Sequence, residues 1–386
     1  MKKVLFIIPE LAHGGTNKCL ENLLPFISKK YQIYIVPLEK EGIYKKVFSE
    51  KLTLLSEKYY FISKSLVYRV VNKFTPKVAK KILGYFLKNE VIKIQNTINP
   101  DVVIAYQEGL ATLFASFFST YKIAWVHCDY KLYNTNVTKQ NEYNIYKKFN
   151  HIICVSKSTL NSFRMFYPEF KSKTDFIYNI IDDKNIIRRS NEIISDPQFK
   201  EDKDTFTLLS IGRYCHVKQF ERIPLIVNEI LEHGINRKIC WYVIGDGNKK
   251  LITYTRKQIK KYNLTSIVVL LGAKINPYPY INKSNLVVSL SKSEAYPNVI
   301  NESKILHVPV LSTNYPSATE LIQDEFNGLV RNIIDFPSAI IKLINNQDNI
   351  YNNIKNNISD FEYDNNDILA KIYELIDTRL SVSNCQ

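Results

Sequence analysis

The chain has 386 residues, of which 45% are hydrophobic and 23% are charged, and this globular composition excludes a disordered chain. The length exceeds the size at which a single hydrophobic core usually stops growing, so we expect two domains. Lys and Arg outnumber Asp and Glu by 52 to 37, an excess that favours phosphorylated ligands, anionic lipid or nucleic acid as partners.

The first apolar run ends at Pro9 and Glu10. A signal peptide needs roughly 7–15 apolar residues and a cleavage site, and a spanning helix needs about 20. We therefore predict a first β-strand here rather than a targeting segment, in a cytoplasmic protein. Six scattered cysteines without a CxxC pair are typical of reduced thiols in that compartment.

Short β-branched runs alternate with helical patterns over the first half of the chain. Several runs are continuously apolar, as in parallel strands that are covered on both faces. Strands are predicted at Val4–Ile8, Ile33–Val36, Val102–Ile104, Ile123–Val126, Ile152–Val155 and Phe176–Tyr178, and helices at Asn17–Ser28 and Ser158–Phe166. This alternation predicts a doubly wound α/β domain over residues 1–183.

Residues 184–205 are polar and charged, and we predict a linker there. The alternation then restarts and predicts a second α/β domain over residues 206–347, followed by C-terminal helices over 348–386 that cross back to the first domain. Because ligands bind at the carboxyl ends of strands in such sheets, we expect the two domains to face a central cleft. The strands of the second domain are predicted at Phe206–Ile211, Trp241–Ile244, Ile267–Leu271, Leu286–Leu290 and Val308–Ser312.

The most informative pattern lies in residues 289–313, SLSKSEAYPNVINESKILHVPVLST. A strand ends in a polar turn, and Pro297 starts a helix because a first helical turn does not need its missing N–H. The helix dipole and the free amides of the helix start predict a seat for a diphosphate. Those amides belong to Asn298, Val299 and Ile300.

Two glutamates, Glu294 and Glu302, flank that seat with seven residues between them. A carboxylate repels a nearby phosphate, so its position needs another explanation. It is explained if Glu294 accepts hydrogen bonds from the sugar hydroxyls and Glu302 accepts them from the ribose hydroxyls. A second interpretation stays open, in which Glu294 is a cap or dipole partner and Glu302 a solvated helix residue.

The segment LLSIGRYCHVKQFERI, residues 208–223, places Gly212, Arg213 and Lys218 after a buried strand. Glycine lets the backbone bend, and two cations at the carboxyl end of a strand can neutralise a diphosphate leaving group. Isolated basic residues are usually surface charges, but a position at the carboxyl end of a buried strand favours a ligand-binding site.

Weaker signals come from two glycine turns and a histidine. Gly14–Gly15 follows the first strand, and Gly245 and Gly247 follow a strand of the second domain, but neither completes a phosphate-binding motif. A tight turn without function would look the same. His127 ends the fourth strand, where it can donate a hydrogen bond to a sugar hydroxyl, with a satisfied half-buried histidine as the alternative.

Taken together in their order along the chain, these stretches resemble the large family of retaining GT-B glycosyltransferases known as family 4. The resemblance extends from about Val4 to Val330, and its most specific element is SKSEAYPNVINE followed by HVPVLST. It implies a GT-B fold and transfer of a sugar, with retention, from a nucleotide-diphosphate sugar. UDP is the expected nucleotide, and a glycan or lipid-linked oligosaccharide of capsular or other surface polysaccharide synthesis is the expected acceptor.

The resemblance also implies roles for individual residues and no metal or other cofactor. Ala295, Tyr296 and Asn17 depart from the family's common residues and leave the identity of the sugar open. The implied roles are diphosphate binding and leaving-group stabilisation for Arg213 and Lys218, beside Gly212; sugar binding for Glu294 and His127; ribose binding for Glu302; phosphate contact for Asn298, Val299 and Ile300; and close approach to donor and acceptor at Gly15.

Residues 64–93 contain eight basic residues against the single acidic Glu90, interleaved with aromatic and aliphatic ones. Such a segment suits an anionic membrane surface, so we predict peripheral attachment at the cytoplasmic face. A core-facing helix with a solvated basic back is the alternative.

Other function classes stay open. A sugar-nucleotide epimerase or a phosphorylase can use the same double-lobed scaffold, and a phosphorylase would carry a lysine-bound pyridoxal phosphate. A non-catalytic nucleotide-sugar-binding protein also fits. Nucleic acid is not an expected partner, because no RNA or DNA module appears and the positive charge is spread along the chain.

Overall fold

The structure is a computed structural model that describes residues 1–12, 14–51, 53, 76–133, 139–235 and 237–378. The chain divides into two compact units. The first contains Met1–Ile180 together with the residues from Asn365 onward, and the second contains Ile181–Asp364.

The first unit is a parallel six-stranded sheet in the order β2-β1-β3-β4-β5-β6, with helices between the strands. All six predicted strands are confirmed, with shifts of at most two residues at their ends. The strands are β1 Lys3–Ile8, β2 Gln32–Pro37, β3 Val102–Ala105, β4 Tyr121–Val126, β5 His151–Cys154 and β6 Thr174–Phe176. The helices are α1 Gly15–Ile27, α2 Tyr44–Val47, α3 Pro76–Thr97, α4 Leu110–Ala115, α5 Tyr130–Tyr133, α6 Lys139–Tyr146 and α7 Lys157–Phe166.

The second unit is a parallel sheet in the order β12-β11-β10-β7-β8-β9, the doubly wound order of a dinucleotide-binding fold. Its first five strands match the predicted ones, and the short β12 was not predicted as a strand. The strands are β7 Phe206–Ile211, β8 Ile239–Ile244, β9 Val268–Gly272, β10 Leu286–Ser289, β11 Val310–Thr313 and β12 Leu329–Arg331. The helices are α8 Asp183–Ser190, α9 Ile223–Glu232, α10 Lys249–Lys261, α11 Tyr278–Asn282, α12 Asn298–Ile305, α13 Pro316–Leu321, α14 Phe336–Ile344 and α15 Ile350–Asn357.

The strands are apolar because helices cover both faces of each sheet. All six residues of β8 are buried, and Trp241 at its centre is fully inaccessible. The indole N–H of Trp241 donates to the Ser210 hydroxyl over 3.0 Å, and that hydroxyl donates to the Val288 carbonyl over 2.7 Å. The polar side-chain atoms of Trp241 and Ser210 are thus paired, which offsets the cost of burying them.

Two regions outside the predicted domains also have defined structure. Residues 184–205, predicted as a linker, include most of α8, whose start is capped by the Asp182 side chain. The last helix described, α16 Asn366–Asp377, belongs to the first unit, where Asp377 pairs with Lys2 and Lys30 over 3.2 and 2.7 Å.

No helix in the described part of the chain is long and apolar enough to cross a membrane. Of the predicted membrane-binding segment, residues 64–75 lie outside the described residues, and residues 76–93 belong to α3. The side chains of Lys77, Lys80 and Lys81 are also outside what the structure describes.

Candidate functional site

The second sheet has its switch point between β7 and β10. From β7 the chain builds outward through β8 and β9, and then returns to place β10 on the other side of β7. Loops that leave the carboxyl ends of two such strands diverge and leave a crevice. The loop after β7 carries Gly212, Arg213 and Lys218, and the loop after β10 carries Glu294. The structure therefore brings these four predicted residues to one edge of the sheet.

Lys218 and Glu294 form an ion pair across this crevice. The Ser291 hydroxyl donates to the same Glu294 oxygen, Oε1, over 2.6 Å. The two loops are also joined by their backbones, because the amide of Lys292 donates to the Val217 carbonyl over 2.8 Å. The side chains of Lys218 and Glu294 are 21% and 20% exposed, so a charged ligand can reach a pair that the loops already orient.

Arg213 lies in the same loop as Lys218, and its side chain is exposed. Within the described residues its guanidinium has neither a hydrogen bond nor an ion pair. Guanidinium groups present five donors in a fixed fork that matches phosphate oxygens. The unit therefore holds one cation in place through a carboxylate and leaves a second one available for an anion.

Glycines allow the loops after β7 and β8 to pair closely. The Gly212 amide donates to the Ile244 carbonyl over 3.0 Å, and the Tyr214 amide donates to the Asp246 carbonyl over 2.9 Å. Gly245 has a φ of +154°, and a Cβ placed there would lie 1.8 Å from the Gly212 carbonyl oxygen. This close pairing explains the glycines of the GDG segment without a dinucleotide-binding role.

The start of α12 corrects one prediction. The amide of Asn298 donates to the Tyr296 carbonyl and that of Ile300 to the Pro297 carbonyl, each over 3.0 Å. A tight turn around Pro297 brings these carbonyls to the helix start, so two of the three amides that were predicted to be free are occupied. Val299 is left as the candidate backbone contact to a phosphate.

Glu302 lies inside α12 and is 7% exposed, which excludes the interpretation of a solvated helix residue. The segment 358–363 contacts the same helix. The Lys304 ammonium lies 4.1 Å from the centre of the Phe361 ring, and His307 Nδ1 lies 2.7 Å from the Ile358 carbonyl oxygen. Burial lowers the pKa of Lys304 to about 8. The end of α12 is thus held by a segment of its own unit.

In the first unit the switch point lies between β1 and β3. Gly15 begins α1, the helix that follows β1 after a loop, and a Cβ placed on it would meet nothing within 4 Å. Packing of the described residues therefore gives no reason for a glycine at this position. The predicted role, close approach of a ligand, remains a hypothesis.

His127 follows β4, and its backbone amide is hydrogen-bonded to Glu108. Glu108 was not singled out from the sequence. The His127 amide donates to Glu108 Oε2 over 2.9 Å, and the Cys128 thiol also hydrogen-bonds this carboxylate. The Tyr106 ring packs against the imidazole with its centre 4.7 Å away. Glu108 was detectable, because an acidic side chain follows the apolar run of β3 just as His127 follows β4.

Burial dominates the electrostatics of this edge. It raises the pKa of Glu108 and of the Cys128 thiol, and it lowers the pKa of His127 to about 3. The imidazole is therefore neutral at physiological pH. Its Nε2 atom is buried and has no hydrogen-bond partner among the described residues, so it is a group that a ligand can satisfy. Gly15 and His127 belong to the first unit, and the other predicted site residues belong to the second.

Within the described residues, no group of three or more His, Cys, Asp or Glu side chains is placed to hold a metal ion. That no metal or cofactor takes part remains a prediction.

Two Campylobacter jejuni enzymes are similar to the chain over most of their length. The chain is 23% identical to GalNAc-alpha-(1->4)-GalNAc-alpha-(1->3)-diNAcBac-PP-undecaprenol alpha-1,4-N-acetyl-D-galactosaminyltransferase, over 94% of this chain and 95% of that one. It is 25% identical to N-acetylgalactosamine-N,N'-diacetylbacillosaminyl-diphospho-undecaprenol 4-alpha-N-acetylgalactosaminyltransferase, over 86% of each. An uncharacterized glycosyltransferase of Methanocaldococcus jannaschii is 27% identical, and the match covers only 64% of either chain.

Solved structures share the fold at low identity. Anabaena HepE in complex with UDP and glucose superposes with a TM-score of 0.75 at 16% identity, over 98% of this chain and 100% of that one. S. aureus TarM, as a point mutant in complex with Fondaparinux, alpha-GlcNAc-glycerol and UDP, gives 0.71 at 15% identity, over 98% and 100%. These likenesses confirm the predicted GT-B class of two Rossmann-like units. Residues 191–360 match the family model Glycosyl transferases group 1.

Proposed function

We propose that this protein is a retaining glycosyltransferase that transfers a sugar from a UDP-sugar to a lipid-linked oligosaccharide. The family match of residues 191–360 supports sugar transfer. The names of the two Campylobacter relatives, whose substrates carry a diphospho-undecaprenol, support the acceptor class. UDP bound to HepE and TarM supports the nucleotide.

The observation that carries the proposal is the ionic cluster of Arg213, Lys218 and Glu294 at the β7–β10 crevice. As the bond between the sugar and the diphosphate breaks, negative charge builds up on the leaving diphosphate. Two cations at this edge stabilise that charge, and preorganised charges of this kind account for much of enzymatic rate enhancement. When the diphosphate takes Lys218 as its partner, Glu294 becomes available to a sugar hydroxyl.

The remaining residues contact the neutral parts of the donor. Glu302 binds the ribose hydroxyls, and the Val299 amide contacts a phosphate oxygen. The neutral imidazole of His127 hydrogen-bonds the transferred sugar. Retention requires the acceptor oxygen to bond to the anomeric carbon on the face that the diphosphate leaves.

The test is a thermal-shift panel followed by product analysis. UDP is expected to raise the melting temperature more than GDP or ADP, because a ligand of the native state stabilises it by mass action. Arg213→Ala is expected to reduce the shift, whereas Arg188→Ala, an exposed arginine of α8, leaves it unchanged. NMR of the product made from an α-linked donor then reports the new linkage.

A β-linked product would refute retention, and equal stabilisation by all three nucleotides would refute the choice of UDP. No stabilisation by any nucleotide and no transfer from a UDP-sugar panel would refute the proposal as a whole.

We also propose that the protein works at the cytoplasmic face of a membrane, where lipid-linked acceptors reside. Residues 64–93 are the candidate contact because of their basic and aromatic composition. Charge reversal at Lys77, Lys80 and Lys81 is expected to weaken binding to anionic vesicles. Equal binding to neutral vesicles would count against this attachment.

A further inference from the structure

Every charged side chain of helix α10, Lys249–Lys261, is positive. Its sequence, KKLITYTRKQIKK, contains no acidic residue. Leu251, Thr255 and Ile259 are buried against the unit, and the opposite face is exposed. That face carries six cations, Lys249, Lys250, Arg256, Lys257, Lys260 and Lys261.

None of these six cations forms an ion pair with a described residue. The helix dipole favours Lys260 and Lys261, which lie in the last turn. It disfavours the positive charges of Lys249 and Lys250 in the first turn. Arg256 and Lys260 are also spaced by four residues, as are Lys257 and Lys261, and like charges at that spacing repel each other. The first-turn lysines and the like-charge spacings cost stability, and an anionic ligand on this face would compensate that cost.

A groove of about 450 Å³ adjoins this face, between α10 and the edge strand β9. Three of the six cations line it together with hydroxyl and amide groups. The polar lining residues are Gln198, Thr253, Arg256, Lys257, Lys260 and Thr265, and the other side chains that line the groove are aliphatic. Ammonium, guanidinium and hydroxyl donors around one groove suit a phosphate group.

We propose that the exposed face of α10 and its groove dock the protein on an anionic phospholipid bilayer, with a lipid phosphate in the groove. The helix is roughly 20 Å long, and its cations occupy a single broad face. A bilayer offers negative charge at every point of a plane and needs no fixed register. Tyr254 on the same face is 50% exposed, as is typical of an aromatic residue at a membrane interface.

The mode of contact follows from the burial pattern. The apolar side of α10 packs into its own unit, so the helix cannot insert into the lipid. Docking is therefore electrostatic and is weakened by salt. A nucleic acid also carries repeated phosphates, but Tyr254 is the only exposed aromatic side chain of this helix that can stack on bases, so a bilayer is the better match.

The test compares two triple variants of the full chain. Arg256→Glu, Lys257→Glu and Lys260→Glu change three of the groove cations. Lys200→Glu, Lys203→Glu and Lys355→Glu make the same change in net charge at exposed positions elsewhere in the unit. Partition is measured on vesicles of equal parts phosphatidylglycerol and phosphatidylcholine, and on pure phosphatidylcholine. Far-UV circular dichroism and the UDP thermal shift report whether each variant is folded.

The α10 variant is expected to lose about 100-fold in partition to anionic vesicles, since each basic residue near such a surface contributes roughly fivefold. The control variant is expected to stay within a few fold of wild type, and pure phosphatidylcholine is expected to bind neither. Retained binding by the α10 variant would place the contact elsewhere and overturn the proposal. Equal loss in both variants would mean that net charge alone drives binding, and this would also overturn the proposal.

Two further outcomes would also overturn it: no binding of the wild type to anionic vesicles, and salt-dependent binding to RNA without vesicle binding. The vesicle measurement does not depend on sugar transfer. If UDP has no effect but the α10 variant alone loses vesicle binding, the enzymatic proposal fails and this one stands.

Discussion

The switch points of the two sheets differ in their electrostatics. At the second sheet, Arg213 is exposed, and the ion pair of Lys218 and Glu294 is about one-fifth exposed. At the first sheet, Glu108 is 8% exposed, and burial lowers the pKa of His127 to about 3. One edge keeps formal charges near water, and the other places hydrogen-bonding groups where charge is disfavoured.

This difference matches two kinds of ligand group. A diphosphate needs positive charge, which water-accessible cations can hold without a large desolvation cost. A sugar hydroxyl needs a neutral donor or acceptor in a fixed position. The same parallel architecture can provide either environment, because the side chains at the strand ends are independent of the sheet that holds them.

The largest expected effect comes from removing a cation at the second edge. Arg213→Ala or Lys218→Ala should lower kcat by about 100- to 1000-fold, because each removes a preorganised group that stabilises charge in the transition state. Steady-state transfer from the UDP-sugar found in the panel measures this, with Arg188→Ala as the matched control. Near-wild-type rates in both site variants would contradict the role of these two cations in stabilising the leaving diphosphate.

The next effect tests whether close loop pairing builds that edge. Gly245→Ala places a methyl group 1.8 Å from the Gly212 carbonyl oxygen at a φ of +154°, so the loop must move. We expect a loss of about 2–4 kcal/mol in the free energy of unfolding, measured by urea denaturation. Gly234→Ala, also at positive φ but with open space around it, should lose only about 1 kcal/mol. Similar losses in both would show that contact with Gly212 is unimportant.

At the first edge, we predict that Glu108 is a positioning residue for His127. Glu108→Ala should lower kcat/KM by about 10- to 100-fold, since a small displacement of a group that orients substrate can cost that much. Glu108→Gln should recover most of the activity, because its amide oxygen can still accept from the His127 N–H. The UDP thermal shift should not change in either variant. Loss of UDP binding, or an equal effect of the exposed Glu169→Ala, would contradict this role.

The smallest effect is a pH dependence of stability. The folded pKa of His127, about 3, lies below its unfolded value of about 6.5, so the unfolded state binds more protons between these values. The free energy of unfolding should therefore fall as the pH drops through this window. From about pH 7 to about pH 5, the wild type should lose about 1–2 kcal/mol more than His127→Gln. Parallel pH profiles would mean that the imidazole is solvated.

Much of the site was predictable because charge and chain order are local properties. Lys218 and Glu294 were assigned from residues that follow strands, and the structure brings them into contact. Glu108 was missed because its partner is the amide of His127, nineteen residues away, and an amide leaves no mark in the sequence. The free amides of Asn298 and Ile300 were mispredicted because a turn at Pro297 offers nearer carbonyls than the general helix start does.

The sequence by itself determined the fold class, since continuously apolar strands alternating with helices can be covered on both faces only in parallel α/β sheets. It also determined which side chains stand at strand ends. Only the tertiary structure decided the strand order that puts β10 beside β7, and with it the pairing of Lys218 with Glu294. It also decided which groups are buried, as for Glu302 and Glu108, because burial depends on neighbours that are distant along the chain.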